Sequence, residues 1–302
     1  MRISDGAFSE YIGTDLACES GRIAPDKYES AKYDRYEKDG VTVETLTVDN
    51  EAASCETGKE PGRYVTVSSP ALREDGDLTR VARVIGYELS GLIFRASGKT
   101  AKDGAKVLVV GLGNRFITPD ALGARCADKI NATRHIKGAC PAIGSAGCSE
   151  VSVISPGVLG QTGIESSNII KDVAKGIDPD LIIVIDAMAA RASHRLASTV
   201  QLSDSGLSPG GGVGNRRPAI NKDKIGYPVV SIGSPTVVGS STLILDALTE
   251  AGIDDVPESL ERILDASRDF FVTVNDSDKM TERLSDVISD GVNLALGTSF
   301  LA

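Results

Sequence analysis

Apolar positions in this chain recur in two spacings. Short unbroken runs at 106–110 (KVLVV), 181–185 (LIIVI) and 228–232 (PVVSI) are Val- and Ile-rich and too short for helices. They predict strands buried on both faces. At 41–48 (VTVETLTV) the pattern alternates, with Val41, Val43, Thr45 and Thr47 on one face. Segments 63–68, 151–155, 197–202 and 270–274 read as further strands. The other spacing is helical: Leu78, Val81, Ile85, Leu89 and Leu92 form one stripe across 77–94. Asp77 is placed to cap that helix and Gly98 to end it. Helices are also predicted at 119–131, 164–175, about 237–251, 257–267 and 278–296. Residues 1–38 are polar without a period, 52–62 and 138–150 read as loops, and 203–217 is glycine-rich.

Strands alternating with helices predict a three-layer α/β fold, a mostly parallel or mixed sheet with helices on both faces. The expected type is phosphorylase/hydrolase-like. No repeat or linker divides the 302 residues, so one domain is expected. Aromatic residues make up 4% and Trp is absent, so the core must be aliphatic. The net charge of −10 disfavours binding to nucleic acid through phosphates. No apolar run spans a membrane, and the first residues lack a secretory signal core. Five cysteines without a CxxC pair argue against a disulfide framework or structural zinc, with a reducing cytoplasm as the default.

The candidate chemistry lies in two stretches that read alike. In 106–123 (KVLVVGLGNRFITPDALG) a strand runs into a glycine turn and then to Asp120 at a helix start. In 181–191 (LIIVIDAMAAR) the strand ends on Asp186. Gly111-Leu112-Gly113 opens like a dinucleotide fingerprint, but Phe116 stands where the third glycine belongs. Asp120 alone also fits a helix-start carboxylate that favours the dipole. Asp186 is harder to explain that way, because carboxyl ends of strands are where α/β proteins place their sites. Two adjacent carboxylates cannot both ionise easily, so one holds a proton while the other acts as base. Asp186 is favoured as base and Asp120 as proton donor, with the reverse open because a coupled pair titrates as a unit. Backbone N–H groups of Gly111, Gly113 and Asn114 are candidate oxyanion donors.

Other chemistries find less support. His135 and His194 are the only histidines and lack HExxH spacing, and no Ser sits in a GxSxG elbow. Cys126 and Cys140 read as structural thiols. The 203–217 loop, with Arg216 and Arg217, is not a Walker loop; it reads as a mobile surface loop or, alternatively, as a lid over an extended substrate.

Taken together, GLGNRFITPDALG (111–123), TRH (133–135), SPGVLGQTGIES (155–166), LIIVIDAMAAR (181–191), QLSDSGLSPGGGVGNRR (201–217) and SIGSPTVV (231–238) resemble the germination protease of spore-forming bacteria. The resemblance spans about 11–238. It implies an endopeptidase of small acid-soluble spore proteins, similar in fold to hydrogenase-maturation proteases, acting in the cytoplasm of the developing spore and the spore core. It implies a self-processing zymogen, a homotetramer, no cofactor or metal, and no direct binding of nucleic acid or membrane. The two aspartates proposed as catalytic in that family fall on Asp120 and Asp186. Family substrates carry an acidic residue, an apolar one, Ala, and a further Glu. Thr14-Asp15-Leu16-Ala17-Cys18-Glu19 has that form, with Cys18 where relatives have Val. The resemblance therefore implies self-cleavage between Asp15 and Leu16, with 1–15 as propeptide and 16–302 as the protease domain. The alternatives are a metal-assisted protease using the same carboxylates as ligands, and an inactive binding or scaffold relative.

Overall fold

The computed structural model describes residues 13–19, 27–74, 76–137, 147–214, 217–266 and 270–299. Its frame is a mixed nine-stranded sheet. The strands are β1 (Lys32–Lys38), β2 (Val41–Val48), β3 (Gly62–Ser68), β4 (Lys106–Gly111), β5 (Glu150–Ile154), β6 (Leu181–Ala190), β7 (Thr199–Ser203), β8 (Val229–Gly239) and β9 (Phe271–Val272). They lie in the order β1-β2-β3-β7-β8-β6-β4-β5, with β9 on the end of β8. Strands β5, β4, β6 and β8 run parallel, and β7 turns the sheet antiparallel through β3, β2 and β1.

Helices cover both faces, as the two apolar periodicities require. The longer ones are α1 (Glu51–Thr57), α2 (Thr79–Ser97), α3 (Leu122–Lys129), α4 (Ser166–Ile177), α5 (Ser240–Glu250), α6 (Glu258–Ala266) and α7 (Ser277–Ala295). On one face Ile85 and Leu89 of α2, Leu122 of α3 and Ile288 of α7 pack on Val109, Ile183 and Ile232. On the other, Ile170 and Ala174 of α4 pack on Leu108, Ile182 and Val184. Consecutive residues of β6 thus feed opposite cores, which explains its unbroken apolar run.

The elements depart from the pattern-based expectation in five places. Strand β1 and helix α1 fall where no period is visible. The first is a solvent-exposed edge strand. The second is a seven-residue helix set by local chemistry, with Asn50 accepting from the Ala53 N–H and Gly58 turning left-handed at φ 67°. Predicted helix 119–131 divides into a 3-10 turn, Thr118–Asp120, and α3. Asp77 accepts from the Thr79 N–H at 2.8 Å, but Leu78 holds the cap position of α2. Most consequential, β6 does not end on Asp186. It continues to Ala190 because β8 runs beside it, pairing Asp186 with Gly233 and Ala190 with Val238 across a bulge at Met188/Ala189.

Candidate active site

Asp186 sits inside β6 on the face of Ile182 and Val184, just past the reach of α4. Its register partner on β8 is Gly233, whose own partner on β7 is Gln201. Register partners share a face, so Asp186 and Gln201 flank a position without a side chain. Met188 reaches over that gap: a Cβ on Gly233 would fall 2.5 Å from Met188 Cε. Asp186 is 8% exposed, and Oδ1 accepts from the Ala187 N–H at 2.9 Å.

Asp120 arrives from the end of β4. The chain leaves the sheet through Gly113 at φ 95°, where a Cβ would also collide with the Asp120 carbonyl. The Asn114 N–H donates to Asp120 Oδ2 at 2.7 Å, and Thr236 Oγ1 donates to the Pro119 carbonyl at 2.6 Å. Immediately after, Gly123 brings the start of α3 against backbone: a Cβ there would collide with the carbonyl oxygens of Ile185 and Leu112. The glycine turn therefore aims one carboxylate toward the strand that carries the other. Asp120 and Asp186 line one cavity of about 570 Å³.

A third carboxylate, Asp15, lines the same cavity. It belongs to the N-terminal segment, which lies against the far end of β6. The Asp15 N–H donates to the Ala189 carbonyl at 2.9 Å, and Asp15 Oδ2 accepts from the Ala189 N–H at 2.8 Å. Oδ1 accepts from the Gly212 N–H at 2.7 Å, so the backbone of the glycine-rich loop lies against this segment, which turns into a 3-10 helix at Ala17–Glu19. Leu16 is fully buried with Met188, Ala190, Leu196 and Val238. Glu19 accepts from the N–H groups of Arg191 and Ala192, at 2.8 and 3.0 Å, and lies 3.6 Å from Arg195, which also pairs with Glu44 at 3.0 Å. The acid, apolar and acid positions of the segment each occupy a separate built site.

Burial sets the proton order. Asp186 is held well above the ordinary carboxylate range by desolvation, then by the charges of Asp120 and Asp15. Burial also raises Asp120, against the Asn114 N–H, and Asp15, against the Ala189 N–H, the Lys59 ammonium and the Gly212 N–H. The group with two carboxylate neighbours and the deepest burial keeps its proton longest. That order is the reverse of the favoured expectation of Asp186 as base. Two carboxyl groups with different proton affinities can supply an acid and a base at one pH, the pairing that general acid–base attack of water on an acyl carbon uses.

A family model described as "Germination protease" matches residues 17–251. The chain belongs to the germination protease family. Named members share 36% identity (Clostridium perfringens, over 94% of this chain and 95% of that protein) and 37% (Caldanaerobacter subterraneus, 94% of each). A Bacillus licheniformis member shares 40% over 80% of this chain and 67% of its own length. Membership makes the chain a peptidase. A solved NiFe hydrogenase maturation protease, HycI from Thermococcus kodakarensis, is 17% identical with a TM-score of 0.35, covering 68% of this chain and 99% of that one.

Of the residues singled out from the sequence, Asp120, Asp186 and Asp15 come together, with Leu16 beside them in its own apolar site. Gly111, Gly113 and Asn114 surround the Asp120 turn; the Asn114 N–H is engaged by Asp120, and the Leu112 N–H by the Ile185 carbonyl at 2.8 Å. His135 and His194 line neither this cavity nor the adjoining one. Cys126 is buried, and its thiol is pushed up by that burial. Cys140 and Arg216 lie outside the described residues, as does most of the 1–15 segment. Among the described residues no group of three or more His, Cys, Asp or Glu is placed to hold a metal ion, and no helix is long and apolar enough to cross a membrane. Sequence reading gave no role to Lys59, Gln201 or Arg195: Lys59 and Arg195 are common polar residues outside any motif, and Gln201 only opens the glycine-rich stretch 201–217.

Proposed function

We propose that this chain is a self-processing endopeptidase acting on small acid-soluble spore proteins during germination, with Asp120 and Asp186 activating a water. The observation that carries the reading is the seat of Asp15 and Leu16. In a segment with the acid–apolar–Ala pattern of the family's substrates, Asp15 lines the cavity that both carboxylates line, and Leu16 is buried beside it in an apolar site. In this reading 1–15 is the propeptide, 16–302 is the protease domain, and the enzyme acts as a homotetramer in the spore core. Ionised Asp120 takes a proton from water, whose oxygen attacks the carbonyl carbon of residue 15. Protonated Asp186 gives its proton to the Leu16 nitrogen as the C–N bond breaks. The products are a carboxyl group on Asp15 and a free amine on Leu16.

Asp120→Asn and Asp186→Asn each keep shape while removing acid–base function. Both variants should lose N-terminal shortening, read by intact mass, and cleavage of a spore-protein peptide, each by at least about 10²-fold. Near-normal activity in either variant would remove that residue from the mechanism.

A further inference from the structure

The carbonyl of Asp15 is held differently from the rest of its residue. The Asp15 N–H and carboxylate pair with the backbone of β6 and the glycine loop. The carbonyl turns instead to two side chains: Lys59 Nζ donates to it at 3.0 Å and Gln201 Nε2 at 3.1 Å. Gln201 also accepts from the Ala17 N–H through Oε1, at 2.6 Å. One amide thus spans the Asp15–Leu16 bond, gripping the carbonyl before it and the N–H that follows Leu16. These two contacts fix the amide orientation, because only Nε2 can donate and only Oε1 can accept. Gln201 is 4% exposed. Lys59, Gln201 and Asp186 line a second cavity of about 440 Å³ that adjoins the first through Asp15.

We propose that Lys59 and Gln201 form the oxyanion site of this enzyme. The assignment rests on the reading that Asp15–Leu16 is the bond cleaved. As water adds to the carbonyl carbon, the C=O π electrons move to oxygen. The resulting negative charge develops where an ammonium and an amide N–H already point. Both donors already hydrogen-bond the ground-state carbonyl oxygen, and one carries a full positive charge. A mere tether for the segment gives no reason for a cation on this carbonyl, since a backbone partner would serve. In the turn at 111–114 the Leu112 and Asn114 N–H groups already donate, to the Ile185 carbonyl and to Asp120. Here the turn sets Asp120 and the opposite wall stabilises the charge.

The test uses the full chain. Lys59 is partly exposed at the end of a short helix, so Lys59→Met should leave the fold intact. The first-order rate of N-terminal shortening should fall about 10²-fold in Lys59→Met and at least as far in Gln201→Glu, which puts a carboxylate oxygen against the carbonyl. Lys59→Arg should recover to within about tenfold of wild type, since it restores a cationic donor. With a synthetic peptide of residues 10–21 supplied in trans, the Lys59→Met loss should fall on kcat, with KM within about threefold. A tether would instead show faster amide exchange in 13–19 with kcat unchanged. Wild type that shortens between Asp15 and Leu16 while Lys59→Met keeps pace overturns the oxyanion site alone. Wild type that cuts elsewhere, or never, overturns the underlying cleavage reading and this assignment with it.

Discussion

At the scale of single residues the decisive quantity is the proton on Asp186. Its folded pKa is raised, by burial first and by Asp120 and Asp15 next. A carboxyl shifted in this direction contributes stability that is complete below the unfolded value, near pH 4, and is lost as pH rises through the folded value. Replacing the ionisable group should therefore relieve a cost that grows with pH. Asp186→Asn should match wild type in Tm near pH 4 and exceed it at pH 8 by on the order of 1–3 kcal/mol, a few degrees. Thermal melts across that range check it; an offset independent of pH would mean that Asp186 is not the strained titrating group. This residue was legible in the sequence because an aspartate closing an apolar run has few bland explanations. Its protonation state was not, since that depends on burial first, then on Asp120 and on Asp15, which is 171 positions away in the chain yet in the same cavity. Lys59 left no signal, and Gln201 stood in the stretch 201–217 without any sign of its role. A lysine after a helix and a glutamine in a strand acquire meaning only when the N-terminal segment is seated on them.

At the scale of elements the site depends on how closely α3 approaches β4 and β6. Gly123 is the contact point, and what it touches is backbone, which cannot rotate away. Gly123→Ala should cost about 3 kcal/mol and slow N-terminal shortening, because the displaced helix carries the Asp120 turn with it. Gly176 in α4 is the matched control: it is exposed and nothing lies within 4 Å of where an added methyl would sit, so Gly176→Ala should raise Tm slightly, by up to about 1 kcal/mol. Melting curves and shortening rates measured on both variants separate local helix propensity from the packing constraint. The central strands were readable because burial on both faces leaves a composition signature. Strand β1 was not, as an exposed edge has no apolar face to display. The overrun of β6 past Asp186 was hidden for a related reason. AMAA (187–190) carries little strand preference, and its extended form comes from pairing with β8.

At the scale of the whole molecule the N-terminal segment joins the antiparallel and parallel halves of the sheet. Its Glu19 is bound at the end of β6, and Arg195 links that carboxylate to Glu44 on β2. All three side chains are largely enclosed: Arg195 is 18% exposed, Glu44 10% and Glu19 6%. Removing the cation would leave two enclosed carboxylates facing one another, whereas removing an exposed charge would cost little. Arg195→Ala should therefore lose about 3–5 kcal/mol at neutral pH, on the order of 10 °C in Tm. The pH dependence runs opposite to that of Asp186. Although its burial opposes ionisation, Glu44 is held below the ordinary carboxylate value by Arg195 and Tyr33. A depressed carboxylate contributes stability present above its unfolded pKa and lost as pH falls through the folded one. The deficit of Arg195→Ala should thus be full at pH 7 and shrink as pH falls, because the wild type then loses the stability that Arg195 gives to ionised Glu44. Amide exchange should locate the damage at 13–19 and β2, with the α4 side of the sheet unchanged. If exchange instead rises uniformly, Arg195 supports global stability without specifically seating the segment, and the link from Glu19 to Glu44 is incidental to processing.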